Sequence, residues 1–288
     1  MGNVELVRKR DLSTFRRIAI GTWRMPYDPS VYGTLEIRME RALAYVAAFR
    51  KRTGKRLTVT HMVSRAVAQA LREHPEANAA LRFNRVYLRK RIAVFLQVVM
   101  PDPDGKRADL SGTTIHDAAD KTLEQIVDEV EARVSAVRER RDPALEKSRG
   151  MMRWIPSLLL GAFMRLMAFL AFTLNLNLRR FGVERDAFGS VMVTNIGTFG
   201  LDQAYVPIIP WSRVPILLAI GEVHDAPVVE GGCLAVGKVM KVNATFDHRF
   251  IDGFHAAAMA RTLREWLEHP EEHFDAVGGT AGQAAKDG

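Results

Sequence analysis

Residues Asp247-His248-Arg249-Phe250-Ile251-Asp252-Gly253 place a histidine between two carboxylates, just before a glycine. An imidazole titrates near neutral pH and a polar neighbour can fix its tautomer, so this arrangement can supply a general base. The same residues also suit a hydrogen-bonded structural histidine in a polar turn. The alternating run Val239–Thr245 ahead of them predicts a strand, and Phe254 to Leu267 predicts a helix. His248 is therefore expected where a strand end turns into a helix.

The remainder of the chain must position that turn. Its 288 residues, 48% apolar and 26% charged, are enough to bury a sizeable core and exclude bulk disorder. The single cysteine, Cys233, excludes an intramolecular disulfide and a cysteine-built metal site, and fits a reducing cytoplasm. The first ten residues hold no apolar core of signal-peptide length. A net charge of +8 suits acidic ligands, a membrane surface or nucleic acid. No zinc-ligand set and no nucleic-acid motif accompanies it, and a multiply anionic cofactor accounts for the charge equally well.

In chain order, the basic run Arg8-Lys9-Arg10, with Arg16-Arg17, Pro26 and Pro29, is expected to form a solvated arm. Tyr32–Met39 alternates weakly, as a strand does, and Glu40–Lys51 has helical spacing. Thr58 is the expected N-cap of a helix carrying Met62, Val63, Ala66, Val67, Ala70 and Leu71, ended by Pro75 and Asn78. Arg85–Met100 is rich in β-formers and Pro101–Gly105 is a turn. Lys121–Arg140 predicts a surface helix. Strands follow at Ser190–Asn195 and Val214–Ile220, with a hairpin over Pro227–Val236. The small, polar residues Gly278–Gly288 are expected to be a disordered tail.

Between Trp154 and Leu178 the only charged residue is Arg165. Three readings stand: a membrane span, a hairpin lying on a membrane surface, or a segment packed against the protein or its oligomeric partners. Arg165 in mid-segment, Pro156, and cationic flanks on both sides argue against a span. Basic flanks around apolar helix suit anionic headgroups.

Taken together, these motifs resemble the catalytic domain of 2-oxoacid dehydrogenase acyltransferases, the dihydrolipoyl acyltransferase family. Asp247–Gly253 is similar to its DHR-x-IDG signature, and Val193–Gly200 to its TISN-x-G-x-FG segment. Pro207-Ile208-Ile209-Pro210, Ala219-Ile220-Gly221 and Pro227-Val228-Val229 follow in the family's order. Leu71–Ala79 is similar to its PEAN helix end, and Leu267-Glu268-His269-Pro270 to its last helix end. The resemblance implies an α/β fold of the chloramphenicol acetyltransferase type. That is an α+β two-layer sandwich with a mixed central sheet and flanking helices, forming a homotrimer. It implies one catalytic domain across residues 1–288, with an apolar helical insertion at about 149–182.

The resemblance also implies the chemistry. His248 is the general base for the thiol of coenzyme A or of a dihydrolipoyl group, and Thr194 donates a hydrogen bond to the oxyanion. Asp252 holds the histidine loop through an N-terminal arginine, Arg16, with Arg17 as the neighbouring choice. Asn195 and Gly197 are the expected coenzyme A contacts, and the active-site channel lies between subunits. Coenzyme A or acyl-CoA is the expected substrate, without metal or nucleic acid. The family's lipoyl and peripheral-subunit-binding domains have no counterpart in residues 1–15, so a lipoyl group is expected from another protein, a separate carrier or dehydrogenase partner. Arg107–Ile115 departs from the family's usual strand there, which leaves specificity open. Two alternatives accompany the acyltransferase reading: a trimeric scaffold with reduced catalysis, and a membrane-associated acyltransferase with a lipophilic substrate. The expected location is cytoplasmic, peripheral to the membrane if Trp154–Leu178 makes surface contact.

Overall fold

The computed structural model describes residues 2–10, 13, 28–101, 108–138, 155–179 and 183–275. In chain order they form β1 (Leu6–Arg8), β2 (Ser30–Arg38), α1 (Glu40–Thr53), α2 (Val59–Glu73), β3 (Ala79–Arg82), β4 (Arg85–Arg89), β5 (Ala93–Pro101) and β6 (Ala108–His116). Then come α3 (Leu123–Arg138), α4 (Ser157–Ala168), β7 (Val191–Asn195), β8 (Ile216–Ile220), β9 (His224–Glu230), β10 (Cys233–Asp247), α5 (Gly253–Glu268) and α6 (Pro270–His273). Arg16, Arg17 and the Gly278–Gly288 tail lie outside the described residues.

The main sheet runs β2-β10-β8-β7-β5-β6, with β9 on the first half of β10. β7 is parallel to both β5 and β8, and the remaining pairings are antiparallel. This is the expected mixed sheet with flanking helices. Period-two alternation assigns its faces. Val191 and Val193, Ile216 and Leu218, and Met240 and Val242 point into the core under α1, α2, α3 and α5. The opposite face of β10 is polar, and the loop after β7 satisfies it. Lys241 pairs with Asp202 at 2.6 Å, Asn243 Nδ2 donates to the Asp202 carbonyl at 3.3 Å, and Thr245 Oγ1 donates to the Val206 carbonyl at 2.7 Å.

Local signals set the helix ends. Thr58 caps α2 in a reciprocal capping box, its side chain receiving the His61 N–H while His61 Nδ1 accepts from the Thr58 N–H at 3.2 Å. Gly54 ends α1 at φ +69°, a left-handed conformation that glycine adopts without a Cβ penalty.

One expectation is corrected. The basic N-terminal run is not wholly a solvated arm, because Leu6–Arg8 pairs antiparallel with β4 in a second sheet of order β1-β4-β3. Backbone groups make this pairing, so exposed basic side chains do not oppose it, and Val4 is buried just before the strand. In the apolar segment, α4 leads into a π-helical turn, Phe169–Thr173. Among the described residues, no helix is long and apolar enough to cross a membrane.

Candidate active site

The β10–α5 junction is a tight, anchored turn. Where the ladder ends, the Asp247 N–H donates to the Pro215 carbonyl and the His248 N–H to that of Pro29, each at 2.9 Å. The N–H groups of Phe250 and Ile251 both return to the Asp247 carbonyl at 3.0 Å, while their side chains are buried in the core. This brings the Ile251 carbonyl 2.7 Å from His248 Nδ1. A carbonyl oxygen only accepts, so Nδ1 carries the proton and Nε2 is the basic nitrogen. The chain itself therefore sets the tautomer that a general base requires.

The two aspartates of the turn have separate tasks. Asp247 is buried, and its Oδ1 accepts from the backbone N–H and Nε of Arg249 at 3.0 and 2.9 Å, while Oδ2 accepts from Nη2 at 2.6 Å. A second guanidinium, Arg213, faces this pair. Burial lowers its pKa first and Arg249 adds to the lowering, with Asp247 opposing both. Among the described residues, Arg213 Nε is buried without a hydrogen-bond partner.

Asp252 caps α5, accepting from the His255 N–H at 3.2 Å and lying 2.6 Å from His255 Nδ1. The far nitrogen of His255 is 3.4 Å from Glu76, whose carboxyl Lys9 holds below its ordinary range. Arg16, the expected mate of Asp252, falls outside the described residues.

Thr194 lies elsewhere. It is half-buried on β7, on the face away from the helices, since its neighbour Val193 joins the helix-side core. Beside it, Asn195 Nδ2 donates to Thr60 Oγ1 at 3.0 Å, and Asn195 Oδ1 accepts from the Thr198 N–H at 3.2 Å. Gly197 packs so closely that a Cβ there would sit 2.7 Å from the Glu222 backbone. The fold thus gives Asn195 and Gly197 the task of fixing the turn beside Thr194.

The register separates Thr194 from His248. Thr194 aligns with Ala219 on β8, Ala219 with Asn243 on β10, and His248 follows Asn243 by five residues. At ~4.8 Å per strand and ~3.3 Å per residue, their Cα atoms are roughly 19 Å apart in one chain. Exposed apolar side chains rim both places. Phe254 (75% exposed), Val31 and Tyr32 surround the histidine end, and Phe199 and Leu201 the threonine end.

Residues 22–150 and 184–274 match the family described as 2-oxoacid dehydrogenases acyltransferase (catalytic domain). The chain belongs to this family. Within it, the chain is 24% identical over 220 residues to the dihydrolipoyllysine-residue acetyltransferase component of the acetoin cleaving system of Bacillus subtilis, covering 76% of this chain and 44% of that protein. It is 23% identical over 248 residues to the lipoamide acyltransferase component of the branched-chain alpha-keto acid dehydrogenase complex of the same organism, covering 85% and 48%. The chain thus spans less than half the length of these two acyltransferase relatives.

Solved structures share the family fold. A probable dihydrolipoamide acetyltransferase from Listeria monocytogenes superposes with a TM-score of 0.64 at 17% identity, covering 94% of this chain and 99% of that one. The cubic core of the pyruvate dehydrogenase multienzyme complex gives 0.63 at 18% identity, covering 92% and 93%. The family match passes over residues 151–183, which contain the apolar helix α4.

Sequence reasoning missed three residues of this site: Arg213, Arg249 and His255. The i, i+3 spacing of His255 from Asp252 was a readable capping signal, and Arg249 stood two residues from its partner. Arg213 had no sequence signal, because only strand pairing carries it to Asp247.

Proposed function

We propose that this chain transfers an acyl group between a thioester and a thiol, with coenzyme A and a dihydrolipoyl group as the two thiols. The observation that carries the reading is the locked tautomer of His248, in a chain of the acyltransferase family. His248 Nε2 removes the proton from the acceptor thiol, and the thiolate attacks the thioester carbonyl. The resulting oxyanion accepts a hydrogen bond from the Thr194 hydroxyl, a contact typically worth about 3 kcal/mol in the transition state. Collapse breaks the original carbon–sulfur bond, and the proton on Nε2 passes to the departing thiolate.

Thr194 and His248 cannot serve one carbonyl from within one chain, so the site is completed between two copies, with a trimer as the assembly. The exposed apolar rims at the two ends support such a joint. In this reading the Asn195–Gly197 turn forms the wall along which coenzyme A lies. The lipoyl group arrives on a carrier from the opposite side of the channel.

Replacing His248 with Ala should lower turnover of acyl-CoA with dihydrolipoamide by about 100-fold or more, with circular dichroism and oligomer size unchanged. Undiminished turnover would remove His248 from the chemistry. If, in addition, calorimetry with millimolar coenzyme A detects no binding to the wild type, a non-catalytic scaffold becomes the better reading.

A further inference from the structure

Away from the catalytic elements, one surface combines outward apolar groups with arginine. From Met151 to Val183 the sequence has four arginines (Arg153, Arg165, Arg179 and Arg180) and no acidic residue. Ala168 and Ala171 are buried against the protein, whereas Leu159, Leu166 and Phe169 project from α4 and its π turn, with Leu159 and Leu166 more than half exposed. Their spacing of seven and three residues puts them on one stripe. Leu174 and Leu176 extend the exposed apolar set beyond the turn, and exposed Arg165 lies beside Leu166.

A second element shows the same chemistry. The β3–β4 hairpin turns at Phe83-Asn84, between Arg82 and Arg85. Phe83 is 62% exposed and held at φ +48°, a left-handed conformation uncommon for a bulky residue. Arg82 Nε donates to the Thr173 carbonyl at 2.9 Å, tying the hairpin tip to the end of the π turn. Two elements distant in sequence thus meet and present an aromatic and several leucines among arginines.

We propose that this face docks on an anionic phospholipid surface. Apolar side chains enter the headgroup boundary while arginines pair with lipid phosphates, the pattern of a helix lying in the interface plane. With 12 residues, α4 is about 18 Å long, too short for a hydrocarbon core of ~30 Å, so it lies on the bilayer. A second copy of the chain is the less suitable occupant. Self-contact of this face would bring arginines together with no carboxylate from residues 151–183 to meet them.

The test is flotation of the full chain with vesicles of phosphatidylcholine alone or mixed with phosphatidylglycerol. Wild type should bind the anionic vesicles at least about tenfold better, and added salt should weaken that binding. Leu166→Asp should reduce it by about tenfold or more. Phe83→Asn, which suits the left-handed turn, should reduce it while leaving the melting temperature in place. Acyl-transfer activity is read in parallel, so a failure of lipid binding stays distinct from a failure of the catalytic reading. Equal binding to both vesicle types, or unaltered flotation of Leu166→Asp, overturns the proposal. So does dissociation of the assembly by these substitutions in sedimentation velocity, which would make the face an inter-copy contact.

Discussion

Thr194 and His248 lie two strands apart and about five residues apart in register, with Thr194 level with Asn243 within β10 and His248 beyond its end. In the proposed mechanism the base at the thiol and the donor at the oxyanion act on one reaction centre, so the two groups would come from different copies. This makes a complementation experiment decisive. His248→Ala and Thr194→Ala should each be nearly inactive alone. After subunit exchange at equal amounts, about a quarter of the sites would pair an intact threonine with an intact histidine, and activity should return to that extent. Mixtures as inactive as their parents would rule out a shared site.

The Asp247–Arg249 pair is expected to hold the turn electrostatically. Asp247 is buried, and without its charge the guanidiniums of Arg249 and Arg213 would face each other uncompensated. Breaking a buried pair on one side is costly, so Asp247→Asn should destabilise the fold by about 3 kcal/mol in denaturant unfolding. Adding Arg213→Met should recover part of the loss, because it removes the repulsion. Stability of Asp247→Asn within about 0.5 kcal/mol of wild type would show that the ion pair is not what anchors the turn.

Much of this turn was readable from local pattern, and the reason is physical. A strand alternation over Val239–Thr245 and an apolar helical stripe after Gly253 each depend on neighbours within a few residues. Thr58 was legible in the same way, as an N-cap, although its partner His61 was not. The β1–β4 pairing was not, since three residues of strand among basic side chains carry no periodicity and find their partner some eighty positions away. Nor could spacing place Thr194 relative to His248. That relation depends on strand order, with β8 inserted between β7 and β10, and strand order is a property of the whole sheet.

His255 is expected to act as a positioning residue. It links Asp252, at the start of α5, to Glu76 in the short turn that follows α2, and its side chain is 13% exposed. Removing the ring in His255→Ala should loosen the segment that carries the Ile251 carbonyl and hence the aim of His248. Such misplacement should lower kcat by about tenfold with KM within about twofold. His255→Asn, which retains a donor for Asp252, should restore most of kcat. Equal losses in both variants, tracking a lower melting temperature, would assign His255 a purely structural part.

His61 sets a pH dependence of stability that is separable from catalysis. Its ring, on the first turn of α2, is buried, accepts the Thr58 N–H, and has its pKa lowered to about 4 by burial, with Arg50 and Arg56 adding to the effect. The unfolded chain takes up the proton near pH 6.5, whereas the folded chain resists it until about pH 4. Acid therefore favours unfolding across that window, and stability falls as pH drops from 6.5 toward 4. The shift corresponds to roughly 3 kcal/mol in all. His61→Gln preserves the capping-box geometry with a side chain that does not titrate. Between pH 7.5 and pH 4, wild type should lose about 3 kcal/mol more than this variant, since every other titrating group is common to both. Parallel pH profiles for the two proteins would mean that His61 is protonated in the fold or that its burial is relieved in solution.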